Sequence, residues 1–176
     1  MARVSTKENK SIYQRVREEK GLSREKASEL LEYITPERLE RIENSKFDAK
    51  PDEIMTMAEK YQMPQLCNYY CANECAIGKH YVPEIQMKDL SQIVLEMLAS
   101  LHSIQKSQDR LIEITADGNI ENEEMDDFVN IQEELEKISL SVETMQLWVE
   151  KKIASGNINF AMYQEAVEKR KSIKKS

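Results

Sequence analysis

Glycine and proline are scarce in this chain, four of each in 176 residues, and aromatic residues make up only 6%. That shortage excludes a turn-rich all-β fold, and it also argues against a Pro/Gly-rich disordered chain. Three cysteines are too few for a disulfide framework. Two histidines, His80 and His102, leave little for histidine-based metal or general-base chemistry, and neither a Gly-rich phosphate loop nor a nucleophile elbow occurs. No enzymatic activity, metal or cofactor is therefore expected. No run of about 18 apolar residues exists to cross a membrane. The polar residues 1–10 contain no apolar signal-peptide core. A cytoplasmic, mostly helical protein of one or two small domains is the expectation.

What the chain does have is charge, 32% of residues with a net of −7, and that charge is unevenly spread. Residues 1–80 carry 14 basic and 14 acidic side chains, residues 81–150 carry 4 and 16, and residues 151–176 carry 7 and 2. The middle zone should repel nucleic acid, so any contact with DNA must come from the first 80 residues or from the basic tail.

The few Gly and Pro residues fall where helix ends need them. Ile12 and Val16 mark an amphipathic helix that stops at Gly21. Ser23 reads as the N-cap of a helix over 24–32, with Ala27, Leu30 and Leu31 turned inward. Thr35 followed by Pro36 caps and opens a third helix to about residue 44, burying Leu39 and Ile42. Pro51 opens a fourth over 52–61, its inner face Ile54, Ala58 and either Met55 or Met57. Pro64 introduces a fifth over 65–75. Five short helices in about 70 residues form a compact bundle.

Beyond Pro83 the period lengthens. Leu90, Val94, Met97, Leu101, Ile104 and Leu111 recur in steps of four and three, with Gln108 in the one missing place; this predicts a continuous helix over 87–114. A second seam follows in Phe128, Ile131, Leu135, Ile138, Val142, Met145 and Val149. The linking turn, Ala116-Asp117-Gly118-Asn119-Ile120, has a sister at Ala154-Ser155-Gly156-Asn157-Ile158. In both, Gly ends a helix and a polar residue caps the next. A long helical hairpin with a short third helix (about 160–171) is expected. If the two seams face each other, a strip including Ile93, Leu98, Ile112, Leu140, Leu147 and Trp148 stays uncovered and calls for a second copy of the chain.

The order of elements over residues 12–61 resembles the lambda-repressor-like (XRE-type) helix-turn-helix regulators. The matching residues are Arg17-Glu18-Glu19-Lys20-Gly21-Leu22-Ser23, then Ala27 with Leu31, then Leu39-Glu40-Arg41-Ile42-Glu43-Asn44-Ser45, and Pro51 with Ile54, Met57, Ala58 and Tyr61. The resemblance covers about 65 residues. Ser45 stands where that family commonly has Gly, and the turn Glu32-Tyr33-Ile34 is one residue longer than usual. The resemblance implies a five-helix DNA-binding domain whose third helix enters the major groove. Opposite Leu39 and Ile42 the outer face of that helix would present Glu37, Arg38 and Arg41, with Glu40 as a further candidate. The resemblance puts Pro36, Glu37 and Arg41 at base-facing positions and counts Thr35 and Arg38 among the DNA-binding residues. Arg41 would donate twice to guanine and Glu37 would accept from cytosine. Arg24, Lys46 and Lys50 would contact phosphates. The third helix itself has three Glu against two Arg, and DNA affinity depends on phosphate neutralisation.

Two further patterns have a chemical and a plain reading. Cys67, Cys71 and Cys75 share one helical stripe with His80 beyond it. Zinc ligands come as separated pairs, so thiols packing a helix against the bundle are the simpler reading. Asp117-Gly118-Asn119-Ile120 with Glu124 matches half of a calcium loop. The sister turn at Gly156 has no ligands at those places, which favours helix capping for both.

The expectation is an all-α chain. Residues 1–80 form a five-helix, lambda-repressor-like helix-turn-helix domain, and residues 81–176 a helical oligomerisation domain. Its function would be that of a sequence-specific DNA-binding transcriptional regulator, bacterial or phage-derived, acting as a homodimer on double-stranded DNA. The alternative is a scaffold with the same fold that binds protein instead.

Overall fold

The computed structural model describes residues 10–46 and 48–173, and all regular structure among them is helical. No described helix is long and apolar enough to cross a membrane. Contacts divide the chain into two units. Residues up to Glu84 group with those from Val149 onward, and Ile85–Trp148 form the other. Set beside the expected boundary at 80/81, the first crossing falls at 84/85 and the second lies inside a long helix.

The first unit is built by its caps. Helix α1 (Ile12–Glu19) begins at Ser11, whose hydroxyl accepts from the Gln14 amide. It ends at Gly21, where a φ of +68° lets the Leu22 amide reach back to the Arg17 carbonyl. Ser23 caps α2 (Arg24–Leu31), accepting from the Lys26 amide at 3.3 Å. Thr35 accepts from the Arg38 amide and Pro36 sits at the first position of α3 (Pro36–Glu43). Pro51 plays the same part in α4 (Pro51–Lys60), where the Glu53 carboxylate accepts the Lys50 amide at 2.8 Å.

These helices close over Val16, Ala27, Leu31, Leu39, Ile42 and Ile54, all nearly without solvent contact. Each of the Val, Leu and Ile side chains contributes roughly 1.5–3 kcal/mol by leaving water. Met57, not Met55, is the inward methionine of α4, and Leu30 stands 38% exposed where an inward position was expected. Leu31 and Ala27 already fill that side of α2.

Helix α5 (Gln65–Asn73) lies on this core through Leu66, and Tyr69 meets Tyr13 edge-on at 6.1 Å. It stops two residues short of the expected end. A further short helix, α6 (Gly78–Tyr81), was not foreseen. It turns back so tightly that a β-carbon on Gly78 would overlap the Cys71 carbonyl group.

The second unit corrects the hairpin in two respects. Its first arm is two helices, α7 (Leu90–Lys106) and α8 (Gln108–Thr115), broken at Ser107. The break comes immediately before Gln108, where the seam lacks its apolar residue. The other arm, α9 (Met125–Ala154), runs unbroken for 30 residues. The inward faces match the expected seams only in part, since of the seam residues Ile131 is buried and Val94, Ile104, Ile138 and Met145 are half-buried. Ile93, Ser100, Ile114, Ile131, Ser141, Thr144 and Leu147 are buried, whereas Leu90, Leu101, Leu135 and Val142 stand exposed. Small hydroxyl side chains occupy the waist. A cavity of about 490 Å³ opens there, bordered by Ile93, Ser100, Ser103, Leu140, Ser141 and Thr144. Of the strip expected to remain uncovered, Ile93 and Leu147 are thus buried, and Leu98, Ile112 and Leu140 are exposed.

Both glycine turns cap helices. The Asp117 carboxylate accepts the Asn119 amide at 2.9 Å and Glu124 accepts the Glu121 amide at 3.2 Å. At the sister turn the Asn157 and Ile158 amides both bond the Lys152 carbonyl, and Asn159 caps α10 (Phe160–Ile173).

Candidate nucleic-acid interface

Helix α3 is held at both ends by carboxylates. At its C-terminus the Glu43 side chain is 1% exposed. It accepts two bonds from the Arg17 guanidinium of α1, one of them at 2.9 Å, and a third from Arg24 of α2 at 2.9 Å. Arg17 spends another donor on the Leu22 carbonyl at 2.6 Å. One carboxylate therefore ties three helices together, and the two arginines leave the cluster with a net positive charge. Burial works against the charged form of Arg17, yet the Glu43 contacts outweigh it and raise the pKa.

Toward the other end, Arg38 donates twice to Glu53 of α4, both bonds at 2.7 Å, and once to the Asp48 carbonyl at 2.9 Å. This is the two-pronged geometry that suits a guanidinium to a carboxylate. Burial pushes the Glu53 carboxyl up, but Arg38 and the Lys50 amide more than reverse it, leaving it below the ordinary range. The long turn before α3 is pinned as well. The Tyr33 hydroxyl bonds the Asp52 carbonyl at 2.9 Å and the Thr56 hydroxyl at 2.7 Å.

The expected site residues thus fall into two sets. Arg24 and Arg38 are tied to carboxylates inside the unit. Thr35 at the cap of α3, Glu37 and Arg41 on it, and Lys46 and Lys50 after it are exposed, while Pro36 is half-buried. Glu37 and Arg41 are four residues apart and so share a face of the helix. Glu40 is exposed on α3 too, so the outer surface mixes both signs. Ser45, φ +54°, lets the Lys46 amide bond the Arg41 carbonyl at 2.9 Å, which turns the chain sharply out of α3.

Sequence reasoning missed Glu43 and Glu53 as positioning groups. Glu53 had a readable signal, since it stands three residues after the cap position of α4, where a carboxylate reaches back to the cap amide. Glu43 had none, because its partners lie 26 and 19 residues away.

The cysteine stripe lies on α5 and the turn after it, with all three thiols free and half-buried. Burial, then the neighbouring Cys71 thiol, pushes Cys67 upward, away from the reactive thiolate. Among the described residues no three of His, Cys, Asp and Glu gather as metal ligands. Comparison with family models, with curated proteins and with solved structures returned no match for this chain.

Proposed function

We propose that the first unit is a sequence-specific DNA-binding module of the lambda-repressor-like (XRE-type) kind, and that the chain acts as a dimeric transcriptional regulator. The observation that carries this reading is the mounting of α3. Two carboxylates buried on its inner side hold it rigidly against α1, α2 and α4, while Glu37 and Arg41 lie outward on one face. A short helix braced in this way suits insertion in a major groove. Lys46 and Lys50, just past the sharp exit at Ser45, supply charge for phosphates.

Selection from a random pool of duplexes tests the reading. A recovered motif should contain a guanine whose replacement weakens binding by the native chain and leaves binding by an Arg41→Ala variant nearly unchanged. Affinity should fall with salt by a slope of about −0.9 per phosphate contacted. Failure to recover any sequence, or to shift any duplex at low salt, overturns it.

The rival reading, a scaffold that docks a protein, draws on the consumption of Arg24 and Arg38 in internal ion pairs and on the exposure of Glu37 and Glu40. It requires no DNA shift at any salt and loss of the partner on Glu37→Lys.

A further inference from the structure

The hairpin of the second unit leaves much of its most regular apolar pattern facing outward, Ile131 excepted. Large side chains inside it are few: Ile93, Ile114, Ile131 and Leu147. Outside, Leu98 is 56% exposed, Leu101 46%, Leu135 50% and Val142 41%. At about 100° per residue, Leu90, Val94, Leu98 and Leu101 fall within an arc of roughly 80° on α7. Leu135, Ile138, Val142 and Met145 fall within a similar arc on α9. Lys88, Ile93 and Ser103, Ser107 of one arm border the same cavities as Thr144 and Asn130 of the other, so the arms run antiparallel. Both arcs are displaced in the same rotational sense from the inward residues Ile93 and Ser141. In an antiparallel pair, such arcs meet on one side of the hairpin.

That side is uncharged. No Asp, Glu, Lys or Arg of residues 90–106 on α7, or of 135–149 on α9, lies in either arc. Glu96, paired with Lys88, and Glu134, paired with Lys137, border the cavity instead. On a segment this acidic, the uncharged side is where a second acidic hairpin can approach without like-charge contact. The hairpin is also polarised along its length. Residues 109–136 hold eleven carboxylates against Arg110 alone, whereas at the open end, 85–108 with 137–148, Lys88, Lys106 and Lys137 balance Asp89, Glu96 and Glu143.

We propose that this face docks the same face of a second copy, antiparallel, to close a four-helix bundle with each acidic tip beside the other copy's less acidic end. Two hairpins aligned in parallel would stack tip on tip. The proposal rests on the dimeric part of the regulator reading and is independent of its DNA-binding part.

Sedimentation of the full chain over a concentration series should give twice its 20.5 kDa mass. Leu101→Glu and Val142→Glu, each placing a charge in the interface, should each raise the dissociation constant at least about 100-fold. Glu136→Gln, outside both arcs, should change it less than about threefold. Leu101→Gln and Val142→Gln repeat the reading should a glutamate variant lose its circular-dichroism helicity. Benzoylphenylalanine at Phe128, near the acidic tip and beside the α9 arc, should cross-link to residues 142–148 of the other copy. A monomeric chain, face variants that still pair, or cross-links from tip to tip would overturn the proposal. A dimer that fails to shift DNA would sink only the regulator reading.

Discussion

The Glu43 carboxylate and the Arg17 guanidinium meet through two bonds across 26 residues of chain, and Arg17 is the more deeply enclosed of the two arginines that reach Glu43. Removing one partner of such a pair leaves the other charged and dry. Glu43→Gln should therefore lower unfolding stability by about 3 kcal/mol, read by urea denaturation. The exposed pair Lys60–Glu32 is the control, and Glu32→Gln should leave the midpoint unchanged.

Acid should act through Glu53. Its carboxyl titrates lower in the folded chain than in the unfolded one, because Arg38 and the Lys50 amide outweigh burial. Its contribution is then complete above the usual carboxylate pKa of about 4.3 and drains away as pH falls through the folded value. Melts from pH 7 to pH 3 should show the native chain and Glu53→Gln converging as the pH drops. A constant gap would contradict this.

Ser45 holds a left-handed backbone, φ +54°, that a side chain resists. Ser45→Gly should relieve that strain, and glycine's larger unfolded-state entropy offsets part of the gain. A net stabilisation of roughly 0.5–1 kcal/mol is expected in chemical denaturation.

Gly78 is confined for a different reason. A β-carbon there would overlap backbone, the Cys71 carbonyl group, which cannot swing aside as a flexible side chain would. Gly78→Ala should cost about 2–3 kcal/mol. Near-ultraviolet circular dichroism should report altered packing of Tyr69 and Tyr70 on neighbouring turns of α5.

Local chemistry was legible in the residue order. Ser23, Thr35, Pro36, Pro51 and Gly21 act within a few residues of themselves, and each sits at the helix end it was expected to mark. Partnership over distance was not. Nothing about Arg38 in sequence tells that Glu53 will claim it, and nothing about Glu43 points to Arg17. The heptads of the second unit mark a face that wants covering, but period alone does not say by what. Ser100, Ser141 and Thr144 look like surface positions in the sequence, yet they turn inward and leave the leucines outside. The missing apolar residue at 108 was visible, but its effect, a break at Ser107, was not.

The hydroxyl-lined waist between Ile93 and Ile114 bears on how the hairpin breathes. Opening energy should be distributed unevenly along its arms, because apolar anchoring exists at either end and not at mid-length. Deuterium uptake should accordingly run ahead around Ser100 and Ser141, with the amides near Leu147 and Ile131 exchanging last. The hairpin would yield first at its centre, like a ladder with its strongest rungs top and bottom.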